Sequence, residues 1–169
     1  MLLGAKKDLP TSSSDWALRA PTIDGLQLHE VKNIITKHGY TVEIFREDWG
    51  LHDLTIRHVI SVTLGGGTIS AWHGHKKQTD HVMVVAGAMQ AVLYDAREQS
   101  PTHGTVNAYN LSALRPALLV IPPGVFHGFK NFQMEPVIFN NLFDHQYNYD
   151  DPDEYRLPSD TDKIPFRFT

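Results

Sequence analysis

The chain of 169 residues is 41% hydrophobic and 20% charged, the balance of one compact domain and not of a disordered chain. Its 15 lysines and arginines against 19 aspartates and glutamates leave a formal charge of −4, which excludes a continuous polybasic surface for nucleic acid or anionic lipid and turns attention to small-molecule partners. Cysteine is absent, so disulfides, thiolate metal sites and cysteine nucleophiles are excluded together, and His, Asp and Glu must carry any metal or acid–base chemistry.

The opening MLLGAKKDLP holds an apolar run too short for a signal-peptide core, and stretches such as Val82 to Met89 fall well below the roughly 18 residues of a membrane span. A cytoplasmic protein with no membrane partner is expected. Residues 1–24 combine Ser12, Ser13 and Ser14 with Pro10 and Pro21 and show no apolar period; they read as an N-terminal arm that orders in an oligomer.

Residues 25–169 read as a single domain. From Leu28 onward short apolar segments follow one another: LHEVKNIIT, YTVEIF, LTIRHVISVTL, TISAWH, HVMVVAGAMQAVLY, VNAYNL, ALLVI, GFKNF and PVIFNNLF. Their β-branched and aromatic content predicts strands, with turns at Gly65-Gly66-Gly67, at Ser100 to Gly104 and at Pro122-Pro123-Gly124. The only helical candidates are short, Asp15 to Leu18 and Asp150 to Tyr155. An all-β antiparallel sandwich or jelly roll satisfies this pattern, because each half-buried strand can turn its apolar face into one barrel.

Two stretches carry chemistry. Gly67 to Gly87 reads GX5HXHX4DX6G, with His73, His75 and Asp80, and Pro122 to Asn131 reads PXGX2HX3N, with His127. Side chains two apart on a strand share a face, so His73 and His75 both look into a barrel, and His127 joins them if its strand lies alongside. These patterns resemble the paired motifs of the cupin superfamily, with Asp80 where cupins usually carry Glu and Pro116 where the second motif usually opens with Gly. The resemblance implies a double-stranded β-helix, and His73, His75, Asp80 and His127 as ligands if a divalent transition metal is bound.

A narrower resemblance spans Leu28 to Phe168. VLYDAREQSPTHG (Val92 to Gly104), Asn110-Leu111-Ser112, IPPGVFHGF (Ile121 to Phe129) and HGYTVEIF (His38 to Phe45) are similar to motifs of the dTDP-4-dehydrorhamnose 3,5-epimerase family of cupins, and YRLPSDTDKIPF (Tyr155 to Phe166) is a looser echo of its closing segment. The resemblance implies a homodimer acting on a nucleotide-linked 4-keto-6-deoxysugar, with the strand near Val31 to Ile35 crossing to the partner and no cofactor required. It places the catalytic base at His73 and the carboxylate that orients it at Asp160. His75, His127, Lys76, Trp72 and Asn140 are then the substrate-binding candidates.

Three departures from the family stand out. Its phosphate-binding Arg is Ser70 here, its active-site Lys falls on Asp80, and its Tyr acid aligns with Asn140, which cannot act as an acid near neutral pH. Tyr147 and Tyr149 are the substitute acids within reach of the sequence. A carboxylate at Asp80 opposes enolate formation unless a metal stands between it and the substrate, or unless Asp80 orients His75. Two alternatives therefore stand beside the epimerase: a metal-dependent small-molecule cupin enzyme using the His/His/Asp/His set, and a non-catalytic sugar-binding cupin. The His-x-His-Lys run also resembles the sugar 3,4-ketoisomerases, cupins whose two histidines move protons between C3 and C4.

Overall fold

A computed structural model describes residues 4–7, 14, 22–51 and 55–169. Twelve strands run through the described residues: β1 (Gln27–Glu30), β2 (Ile34–Thr36), β3 (Gly39–Thr41), β4 (His58–Leu64), β5 (Ile69–Gly74), β6 (Asp80–Ala86), β7 (Ala88–Asp95), β8 (Val106–Ser112), β9 (Ala117–Ile121), β10 (Val125–Lys130), β11 (Val137–Phe143) and β12 (Tyr155–Arg156). They form two five-stranded sheets, ordered β1-β9-β6-β11-β4 and β12-β5-β10-β7-β8, and a β2–β3 hairpin. From β4 to β12 sequence neighbours alternate between the two large sheets, except for the β7–β8 hairpin, as in a jelly roll.

The expected short helix at Asp150 to Tyr155 is absent; that stretch is an irregular loop running into β12, which pairs with the edge of β5. Among the described residues the one helical element is a 3-10 turn at Glu47–Trp49. The candidate at Asp15 to Leu18 lies outside the described residues, as does most of the expected arm. At its end the segment is already part of the domain: Ile23 is buried in the core, and its amide donates to Asn107 Oδ1 at 2.9 Å. No helix among the described residues is long and apolar enough to cross a membrane.

Period-two alternation sorts the side chains. Val82, Val84, Ala91, Leu93, Leu119, Ile121, Phe129 and Phe139 fill the space between the sheets, where their burial supplies the main driving force for closing the barrel. On the outer face of the second sheet Trp72, Val92 and Phe126 are covered by the C-terminal segment through Ile164, Phe166 and Phe168. The SPT turn is closed from within: Asp95, fully buried, accepts from Arg97, Ser100 and Thr102, while Arg97 also reaches the Asp24 carbonyl. Arg97 is thus committed to the fold and not to a ligand.

Register around the proposed site has one irregularity. On β10, His127 and Phe129 are two residues apart, but their partners on β5 are His73 and Ser70, three apart. One extra residue in β5 makes a bulge that resets the alternation. Ser70, His73 and His75 all face inward as a result, and Trp72 faces out.

Candidate active site

At one end of the barrel the core gives way to a cavity of about 730 Å³, and His73, His75, Asp80 and His127 all line it. Apolar walls come from Ile60, Val62, Phe129, Phe139 and Phe143, and the rim from the loop that follows β11, including Tyr147 and Tyr149. An apolar pocket with a few convergent polar groups is the usual form of a small-molecule site.

His73 projects from β5 with its two nitrogens in different company. Nε2 meets Ser70 Oγ at 2.9 Å across the bulge, and Nδ1 meets Glu154 Oε1 at 3.3 Å. A carboxylate on Nδ1 fixes the proton there and leaves Nε2 basic, with the Ser70 hydroxyl donating to it. Burial holds the His73 pKa below the ordinary imidazole value and the facing His127 adds to this, outweighing the pull of Glu154 in the other direction. His73 is therefore a neutral imidazole at physiological pH.

His75, Asp80 and His127 form a second group, with one ligand-type atom from each lying within 4.8 Å of the others. The Nε2 atoms of His75 and His127 face the same Asp80 oxygen, Oδ2, at 3.5 and 3.2 Å. Each Nδ1 faces a backbone carbonyl, Asp153 O at 2.5 Å for His75 and Val125 O at 3.3 Å for His127. Gln78 donates to Asp80 Oδ1 at 2.7 Å and Asn141 to Oδ2 at 3.2 Å. With Nδ1–H fixed by carbonyls, both Nε2 lone pairs point at an anion, an arrangement that is stable only with a cation or a proton between them. Burial opposes charge on His75, yet hydrogen bonding and attraction to Asp80 raise its pKa to about 9. Burial likewise opposes charge on Asp80, and hydrogen bonds from His127 and His75 outweigh it, pushing the carboxyl far below the usual range.

Asp153 fixes the approach to this group. Its carboxylate accepts the amides of Lys76, Lys77 and Gln78 at 3.0, 2.7 and 3.1 Å, clamping the turn between β5 and β6. Burial raises the Asp153 pKa, and those three amides bring the net shift below the ordinary value.

Several expected site residues fall elsewhere. Asp160 is exposed in the turn after β12 and does not line the cavity; Glu154, just before β12, is the carboxylate on His73. Trp72 is fully buried on the outer face of its sheet against Phe166 and Phe168, because alternation places it opposite to its neighbour His73. Lys76 lies over the Tyr155 ring at 4.5 Å, outside the cavity, while Lys77 lines it. Asn140 faces away from the barrel, and its neighbour Asn141 is the inward residue, one step along the strand. His73 stands apart from the group of potential metal ligands, which reduces to His75, Asp80 and His127.

Sequence reasoning passed over Glu154, Arg156 and His58, all of which line the cavity. Arg156 pairs with Glu154 and sits in register with His73 on the adjacent strand. The one sequence signal for His58 is its alternation with Ile60 and Val62 on one face of a strand.

The sequence profile of the dTDP-4-dehydrorhamnose 3,5-epimerase family matches residues 20–166. The probable low-salt glycan biosynthesis epimerase Agl13 of Haloferax volcanii is 32% identical over 141 residues, covering 83% of this chain and 90% of that one. The spore coat polysaccharide biosynthesis protein SpsL of Bacillus subtilis is 34% identical over 149 residues, covering 86% and 96%. Among solved structures, the dTDP sugar isomerase of Desulfovibrio desulfuricans superposes with a TM-score of 0.80 at 29% identity, covering 85% of this chain and 90% of that one.

Proposed function

The chain belongs to the dTDP-4-dehydrorhamnose 3,5-epimerase family, and from that premise we propose that it is an isomerase of a dTDP-linked 4-keto-6-deoxysugar serving glycan or polysaccharide synthesis, with His73 as the base. The observation that carries this reading is the His73–Glu154 pair. A neutral imidazole, its tautomer set by a carboxylate, faces a cavity large enough for a sugar.

Removing a proton next to a ketone builds negative charge on the carbonyl oxygen, which needs nearby positive charge or strong donors. Ser70 and Asp80 remove the two family cations, and the cavity supplies others: Lys77 and Arg156 at its mouth, and the imidazolium of His75. Lys77 and Arg156 are also the groups suited to the diphosphate, Arg156 through its forked donors. Tyr147 and Tyr149, in edge-to-face contact at 4.9 Å, offer an aromatic surface at the rim for the nucleotide base.

His73→Asn tests the reading. With dTDP-4-keto-6-deoxyglucose as substrate, turnover should fall at least about 100-fold while dTDP binding, measured by calorimetry, is kept. Loss of binding and turnover together would assign His73 to substrate holding instead.

A second reading is favoured by the convergence of His75, Asp80 and His127, whose donor types and spacing suit a divalent transition metal. Such an ion would supply Lewis-acid stabilisation of the substrate oxygen. Metal analysis of protein purified without added metal separates the two readings.

We also infer a homodimer. The β2–β3 hairpin pairs only with itself among the described elements, and it exposes Ile34, Tyr40 and Ile35, the last 86% accessible. Edge strand β4 exposes Val59 as well. Apolar hairpin faces and unpaired edges of this kind are normally covered by a partner. Sedimentation should give twice the chain mass, and a monomer at micromolar concentration would refute this.

A further inference from the structure

His58 opens β4, on the sheet facing the one that carries His73, yet both imidazoles line the same cavity. Alternation places it on the inner face with Ile60 and Val62, and its register partner Phe143 packs against the ring with centroids 5.4 Å apart. His58 Nδ1 is buried with no hydrogen-bond partner among the described residues. On the adjacent strand, one step further along the same inner face, Asn141 Oδ1 is buried and unpartnered too, while its amide nitrogen is held by Asp80. His58 and Asn141 thus put polar side chains on the cavity wall that faces His73.

Building on the epimerase reading above, we propose that His58 is the second proton-transfer residue, serving the face of the sugar opposite to the one His73 serves. Inversion next to a ketone needs a group on each face. His73 Nε2 takes the C–H proton, the electron pair of that bond becomes the C=C of an enolate, and the carbonyl π pair moves onto oxygen. Protonated His58 then delivers its proton to the same carbon from the other side, and the pair returns to the carbonyl. Each turnover leaves His73 protonated and His58 neutral, and exchange with water at the open mouth restores both.

The alternatives are poorer donors. Asn141, the inward residue of β11, has no acidic proton, and Tyr149 is 87% exposed on the rim loop. Tyr147 belongs to the same loop. His58 is fixed on a strand, and imidazole is the side chain that gives and takes a proton most readily near neutrality.

The test uses the full chain with dTDP-4-keto-6-deoxyglucose in deuterated water, reading deuterium incorporation by mass and configuration by NMR. Wild-type protein should show both exchange and inversion. His58→Gln should keep exchange from the His73 face and lose inversion at least about 100-fold. His58→Ala with added imidazole should regain part of the inversion, which a folding defect would not permit, and thermal melting confirms that both variants are folded. Inversion retained in folded His58→Gln, or lost in Tyr147→Phe while His58→Gln retains it, overturns the assignment of His58 alone. Absence of exchange in the wild type overturns the epimerase reading and this proposal with it.

Discussion

Glu154 Oε1 lies 3.3 Å from His73 Nδ1, and this contact leaves Nε2, beside Ser70, as the free nitrogen of the ring. Glu154 also carries the Arg156 guanidinium, so its carboxylate is held from two sides. Replacing it with Gln keeps the size but lets either tautomer of His73 form. Glu154→Gln should lower kcat by about 10²-fold or more with little change in KM. Asp160→Asn should leave kinetics unchanged, because Asp160 is exposed and lies off the cavity. The reverse ranking in a steady-state assay would restore Asp160 as the orienting group.

The same pair sets a pH dependence. Burial and the neighbouring His127 lower the His73 pKa from 6.5, so the acid limb of kcat/KM should fall below pH 6.5 and activity should hold through neutrality. Glu154 opposes that shift by favouring the imidazolium. Its removal in Glu154→Gln should therefore move the limb to still lower pH. A limb that moves upward would mean that Glu154 does not face the titrating base.

Stability should carry a separate signature from His75. Its pKa rises from 6.5 to about 9 on folding, so the stabilisation is complete below pH 6.5 and is lost as pH climbs through 9. The difference corresponds to about 3 kcal/mol by proton linkage. Urea unfolding should show stability declining between those limits, and Asp80→Asn should flatten the decline while lowering stability at pH 7 by about 3 kcal/mol. Repeating the titration with a chelator tests the cation reading, since a tightly held ion predicts a lower urea midpoint after chelation.

Much of this architecture was legible in the sequence because alternation is a local property. His73 and His75 are two apart and do share a face, and the turn before His127 brings it alongside them. What escaped depends on register and on loops. The extra residue in β5 brings Ser70 to the face of His73, three positions away, where a simple count puts it on the other side. A shift of one position on β11 exchanges Asn140 for Asn141, which is the whole difference between outside and inside a barrel. Glu154 sits in an irregular segment where spacing carries no phase, so a carboxylate further along, Asp160, could be taken for it. His58 was overlooked for another reason: a single histidine on an apolar strand is unremarkable until the opposite wall of the cavity is known.

We propose that His73 removes a proton from carbon next to a ketone. NMR of dTDP-4-keto-6-deoxyglucose incubated with wild-type protein in deuterated water tests it most directly, because exchange requires only the base and stabilisation of the enolate, whatever the final configuration. Deuterium should appear at C3, at C5 or at both, and should be absent with His73→Asn. A wild-type protein that binds the nucleotide sugar yet leaves both positions fully protonated would rule out His73 as the base.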